Sequence, residues 1–359
     1  MQKFYIIIYS SIVLLKNGGK KMKSYLYYII MAIIITTIFT TFCGNEGGGG
    51  NNPPEFVGKI DLSAYGRVED VITAGNYAYI AGKEGGLIVV DISDKQSPLY
   101  KNKFTTDASL WNIAINGNYL YGACSSGGLE IFDISDVDNI TKIGEDKTGG
   151  IWAYGVYIVG NFAYWTGASA NAEKGVFCIT DITDPLNPVN VCCIQMGDAW
   201  CFGIYVKDNI AYIGDRAGKL YIYDITTPHL PLLLSIFDDS GEGSGIYNLR
   251  VENNMAYICN NLKGLLVVDV NDPTKPSLLG RYDINYGFYD LTLDSKVCYA
   301  SCSWGGLRTI DISNNSDLKE TRNAYNPENV CIHGIDKKDN YLYLADSGTD
   351  LLIILDTSK

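Results

Sequence analysis

The chain has 359 residues, with 28 Lys and Arg against 40 Asp and Glu, two His, ten Cys, 38 Gly and 27 Tyr. Five of the cations (Lys3, Lys16, Lys20, Lys21, Lys23) and no acid fall in the first 43 residues, so the remainder carries 23 basic against 40 acidic side chains, a net of −17. That balance argues against a nucleic-acid partner, and the composition fits neither a disordered chain nor a polytopic membrane protein.

Tyr25 to Phe42 is an uncharged apolar run behind Lys20, Lys21 and Lys23, and it ends at Cys43. This is the layout of an export signal, residues 22–42. It resembles the signals of bacterial lipoproteins, which implies that Cys43 is lipidated and becomes the mature amino terminus at the bacterial cell envelope or surface. Phe42 and Thr40 depart from that pattern, and an uncleaved anchor is the alternative. Residues 1–21 are expected to be an upstream extension, with Met22 the true start: Gly18-Gly-Lys-Lys-Met22 can be encoded by a purine-rich ribosome-binding site followed by ATG. The stretch 43–54, with four consecutive glycines, reads as a lipidated cysteine and flexible tether.

Residues 55–359 repeat one unit. A phrase ending in Gly-Leu-apolar-X-apolar-Asp-Ile-Ser/Thr closes at Asp91, Asp133, Asp181, Asp224, Asp269, Asp311 and Asp356, at separations of 42, 48, 43, 45, 42 and 45. Tyr79, Tyr121, Tyr164, Tyr212, Tyr257, Tyr299 and Tyr343 repeat in step, as do Gly86, Gly128, Gly175, Gly218, Gly264 and Gly306, with Asp350 in the last copy. Within the first copy the pattern predicts strands over 67–73, 77–81, 87–91 and 99–105, and Gly75-Asn76 is a hairpin turn needing positive φ. Four short strands in about 45 residues is the period of a propeller blade. The expected fold is therefore all-β, a seven-bladed β-propeller of four-stranded blades. The last copy lacks its fourth strand, and Glu55 to Leu62 (EFVGKIDL) resembles one, so the N-terminal strand is expected to complete the last blade and close the ring.

Gly86-Leu-Ile-Val-Val-Asp91-Ile-Ser and Gly264-Leu-Leu-Val-Val-Asp269-Val-Asn resemble the LVIVD repeat. The resemblance covers residues 55–359 and departs at Lys219-Leu-Tyr-Ile-Tyr-Asp224 and at Asp350. It implies a β-propeller on a secreted or surface-attached bacterial protein, with no single shared activity.

The seven closing aspartates invite a metal reading, but each precedes Ile/Val-Ser/Thr/Asn or a like turn, where its side chain caps the chain reversal. Two histidines exclude a multi-histidine metal centre, and no GxxxxGK[ST] loop supports nucleotide binding. No catalytic residue, metal ligand or cofactor is assigned. Without Cys43 the cysteines number nine, mostly expected as free buried thiols, with neighbouring Cys192 and Cys193 pointing to opposite faces.

The aromatic residues carry the sharper signal. Trp111, Trp152 and Trp200 open first strands, Trp165 ends a second strand and Trp304 sits in a second-to-third-strand loop, all expected on one rim. Aligning the first strands gives one ring, Glu69, Trp111, Tyr154, Phe202, Tyr247, Tyr289 and His333, and below it Asp70, Asn112, Gly155, Gly203, Asn248, Asp290 and Gly334. Such a rim suits stacking on a sugar or anchoring a protein loop. The expected function is a non-catalytic, lipid-anchored surface protein that binds a protein or glycan there and meets the membrane through its lipid alone. The alternatives are a polysaccharide-acting enzyme with Glu69 and His333 as acid and base, and an envelope-assembly scaffold.

Overall fold

The structure is a computed structural model that describes residues 54–170, 174–238, 245–261, 263–284 and 286–358. The signal segment, Cys43, all of the tether but Pro54, and the acidic loop 239–242 lie outside the described residues. No helix among the described residues is long and apolar enough to cross a membrane.

Seven four-stranded antiparallel sheets form a seven-bladed propeller. Six blades are continuous in sequence, from blade 1 (Val68–Ala74, Tyr77–Gly82, Gly86–Asp91, Leu99–Phe104) to blade 6 (Asp290–Asp294, Val297–Ser301, Leu307–Asp311, Lys319–Tyr325). Predicted and observed strand ends in blade 1 differ by one residue at most. Blade 7 takes Ile332–Lys338, Tyr341–Asp346 and Leu351–Asp356 from the C-terminus and its outer strand, Glu55–Asp61, from the start of the described chain. Glu55 pairs with Asp356 and Asp61 with Leu351, which closes the ring.

The burial pattern follows from blades stacking face to face. In blade 1 the second and third strands are almost wholly buried, whereas the outer strand Leu99–Phe104 has no buried residue. Both faces of a middle strand meet a neighbouring blade, so it reads as a continuous apolar run such as Leu87-Ile-Val-Val90. The seven repeating tyrosines are all buried between blades, from 1% exposed at Tyr343 to 7% at Tyr299.

The turns explain the invariant letters of the repeat. Asp91 Oδ1 accepts from Ser93 N at 2.8 Å, and Asp133, Asp181, Asp224, Asp269, Asp311 and Asp356 each accept from the residue two places on. All seven aspartates therefore cap turns. Gly86 has φ +81°, and a Cβ there would lie 2.3 Å from Phe104 O, so both conformation and space require glycine. At the seam Asp350 takes this place with φ +56°, and its carbonyl accepts from Leu62 N at 2.8 Å.

Candidate binding site at the channel mouth

Five of the seven ring positions are brought together by a shared irregularity of the first strands. In blade 1, Val68 pairs with Gly82 and Asp70 with Ala81, which leaves Glu69 as an extra residue. The same break isolates Tyr154, Tyr247 and His333, and in blade 4 it takes in Phe202 and Gly203. Trp111 and Tyr289 stand immediately before the first strands of blades 2 and 6. A bulge re-aims the side chain of its extra residue, and here the side chains turn into the channel mouth.

The ring is continuous. Trp111 meets Tyr154 edge-on at 5.6 Å, Tyr154 meets Phe202 at 5.0 Å, Phe202 stacks on Tyr247 at 5.0 Å, Tyr247 meets Tyr289 at 4.7 Å, and Tyr289 stacks on His333 at 4.3 Å and 9°. His333 Nδ1 lies 2.7 Å from Glu69 Oε2. Arg67 and Lys83 reach the other oxygen of Glu69, at 3.2 and 3.6 Å, and Lys83 Nζ sits 4.1 Å above the Trp111 ring, which completes the circle. Trp200 stacks on Tyr154 from above, with Arg216 over its own ring.

The electrostatics follow from these contacts. Burial alone would raise the Glu69 carboxyl, but the His333 hydrogen bond and the charges of His333, Arg67 and Lys83 outweigh it and hold the group below its ordinary value. Burial would lower His333, yet its contacts with Cys331 and Glu69 raise it. Burial also pushes Tyr154 and Tyr289 up to about 12, so their phenols stay protonated and able to donate.

Beneath the ring the polar layer links one inner strand to the next. Asp70 accepts from Val71 N, Asn112 Nδ2 and Ile113 N, and Asp290 from Leu291 N, Asn248 Nδ2 and Ile335 N. A Cβ at Gly334 would lie 2.6 Å from the Asp70 Cα, which accounts for the small residue in this layer. Burial, then the nearness of Asp290, pushes the Asp70 carboxyl up to about 8, and burial raises Asp290 against the pull of Arg250. The aromatic ring, this layer, Arg250 and Asp336 together enclose a cavity of about 420 Å³.

Of the residues singled out in the sequence, Glu69, Trp111, Tyr154, Trp200, Phe202, Tyr247, Tyr289 and His333 line this cavity. Trp152 and Trp304 are 41% and 59% exposed, outside the cavity but at blade ends that carry the mouth. Backbone bonds between Ala153 and Ser125, and between Ser303 and Ile332, hold those ends to the neighbouring blade. Trp165 is not on the rim. It is wholly buried, and its Nε1 donates to Thr180 Oγ1, which donates to Asp146. The second strand of blade 3 runs on to Ser169, so Trp165 stands mid-strand and faces the core.

The cysteine reading also changes in one place. Cys178 and Cys193 stand opposite each other on the third and fourth strands of blade 3 and form a disulfide, while seven other described cysteines are free. Asp107, Glu130 and Glu145 lie close enough to hold a metal, but Lys142 Nζ sits among them at 2.8, 3.2 and 2.6 Å. Sequence reading missed Arg67, Lys83, Arg250 and Asp336. Arg250 and Asp336 stand one place beyond the aligned apolar residues Leu249 and Ile335, so extending the alignment by one column reaches both.

The fold and this mouth define a repeat-built propeller with an aromatic-lined central cavity. The LVIVD repeat matches residues 65–106, 108–145, 196–239, 247–284, 296–324 and 334–358, and the chain belongs to that family. The third copy, with its disulfide and buried Trp165, falls outside the matched spans. No curated protein matches the chain. Among solved structures it is similar to the computationally designed Ika8 protein (13% identity, TM-score 0.59, covering 80% of this chain and 83% of that one). It is likewise similar to the β-propeller domain of Myceliophteria thermophila Cps50 (Swd1) (13% identity, TM-score 0.62, covering 85% and 100%). At that identity the likeness concerns the fold alone.

Proposed function

We propose that this protein is a non-catalytic, lipid-anchored protein of the bacterial envelope or surface, whose propeller binds a glycan or a protein loop at the channel mouth. The observation that carries the reading is the closed ring of aromatic residues around the cavity. The rings use much of their faces on one another, so what they offer the cavity is edges. Trp111 Nε1 is buried without a hydrogen-bond partner among the described residues. A buried indole N–H calls for an acceptor, which a sugar hydroxyl or a peptide carbonyl supplies. Exposed Trp152 and Trp304 extend the surface outward for a partner larger than the cavity. The amino-terminal sequence, with its apolar run ending at Cys43, supports export and lipidation.

The test is binding of the purified full-length chain, in detergent, to a glycan panel and to an envelope extract. Trp111→Phe keeps the ring and removes the N–H, and is expected to weaken binding about tenfold, the worth of one buried hydrogen bond. Trp304→Ala is expected to abolish capture of a large partner. Unchanged binding in both variants refutes the site, and capture of a native membrane protein alone makes the chain an assembly scaffold. The 2.7 Å contact between His333 and Glu69 favours one further reading, acid-base chemistry on a polysaccharide. Glycan cleavage lost in Glu69→Gln marks that case.

A further inference from the structure

Cys331 precedes His333 by two residues, and its Sγ lies 3.6 Å from His333 Nε2, the ring nitrogen that faces away from Glu69. The imidazole is fixed on both sides, by Glu69 at Nδ1 and by the Tyr289 ring stacked on its face. Carboxylate, imidazole and thiol thus stand in one line, in the order that lets the first orient the second and the second take the proton of the third. We propose that Cys331 is a reactive thiol, held as a thiolate by His333 and Glu69, and is a site of oxidation by hydrogen peroxide. The thiolate sulfur attacks one peroxide oxygen and the O–O bond breaks. The sulfur is oxidised to sulfenic acid, and the departing hydroxide takes the imidazolium proton and leaves as water.

The surroundings of Cys331 set it apart from the other free thiols. Its Sγ also lies 3.4 Å from Ser303 Oγ, its N–H donates to Asp346 Oδ1, and its carbonyl accepts from Ser347 Oγ and from Ser347 N. The charged groups facing the pair are therefore Glu69, with Arg67 and Lys83 behind it, and Asp346, while Tyr289 covers the imidazole. Burial would raise the thiol, but the His333 and Ser303 hydrogen bonds bring it below its ordinary value. Burial raises Cys124, Cys192, Cys201, Cys259, Cys298 and Cys302. Cys331 is 4% exposed, which restricts the reaction to small molecules. Because His333 belongs to the ring at the mouth, oxidation of Cys331 replaces the anion that His333 faces there.

The experiment treats the full-length chain with limiting iodoacetamide from pH 5.5 to 9. A parallel sample receives hydrogen peroxide followed by dimedone, and peptide mass spectrometry reads each cysteine. Cys192, half-buried and without a histidine, is the internal control. At pH 6.5 Cys331 is expected to alkylate about tenfold faster than Cys192 and to carry the trapped sulfenic acid. Its rate should rise less steeply with pH than that of Cys192. His333→Phe, which keeps the stack on Tyr289, and Glu69→Gln should both erase the lead. Equal rates at pH 6.5, parallel pH profiles, or a lead that survives His333→Phe overturns the proposal. The two wild-type profiles decide it even where a variant does not fold.

Discussion

The mouth of this propeller has two halves that solve one geometric problem in different ways. From blade 2 to blade 6 the ring is an aromatic arc, Trp111, Tyr154, Phe202, Tyr247 and Tyr289, each ring against the next. Across blades 7 and 1 the same positions hold His333 and Glu69, joined at 2.7 Å and flanked by Arg67 and Lys83. The arc is held by contact area, which is nearly indifferent to pH and tolerant in angle. The seam is held by charge, which demands particular atoms and responds to protonation. The seam is also where the two ends of the described chain meet, so it depends on the strand that closes the ring.

Removing that strand is the harshest way to break the comparison. Deleting Glu55–Asp61 strips blade 7 of its outer strand and uncovers the buried third strand Leu351–Asp356. An open edge and a slack seam should follow together. The thermal midpoint is expected to fall by at least ~10 °C, or the cooperative transition to disappear. A deletion variant that melts at the wild-type temperature would show that the other six blades hold the seam without it.

A second contrast lies within the tryptophans of the rim and the core. Trp165→Ala empties a fully buried site and takes away the indole N–H that donates to the Thr180 hydroxyl, which keeps its own bond to Asp146, so it should cost about 3–5 kcal/mol. Trp304→Ala removes a side chain that is 59% exposed and should change stability by less than about 0.5 kcal/mol. Chemical denaturation of the two variants checks both figures. A large loss for Trp304→Ala would mean that its indole packs the mouth and is not offered to a partner.

The difference between those tryptophans also shows what could be read from the sequence. A propeller repeats, so seven copies of one phrase in phase gave the blade count, the strand order, the turn-capping role of Asp91 and its equivalents, and the closing strand. The ring of Glu69 to His333 came from the same alignment. Side-chain direction at a bulge was not legible in that way. The extra residue of each bulge leaves no mark in composition, whereas Trp165 follows Tyr164 as buried Ile80 follows Tyr79, so the tyrosine column itself places it in the core and not on the rim. The bond between Cys178 and Cys193 depends on the register of two strands, which parity does not supply. Cys331 stood in plain view two residues before His333, but only the folded strand brings its sulfur to the far nitrogen of the imidazole.

The finest test of the two halves is their response to pH. Glu69 has a folded value below its unfolded one, so its contribution is present above about 4.3 and is lost as the pH falls through the folded value. His333 runs the other way. Its folded value lies above about 6.5, so its contribution is complete below that pH and is lost as the pH rises through the folded value. The seam is therefore tightest between about pH 4.5 and 6.5. The arc does not titrate there, since Tyr154 and Tyr289 stay protonated up to about 12. Glu69→Gln is expected to lower the thermal midpoint by roughly 2–4 °C at pH 6. That gap should narrow as the pH falls through the folded value of Glu69, and again as it rises through the folded value of His333. Phe202→Leu in the arc should lower the midpoint by the same amount at every pH. Melting curves of the three chains from pH 3 to 9 make the comparison, and a Glu69→Gln gap that stays constant across the range would place the seam under packing, like the arc, and not under charge.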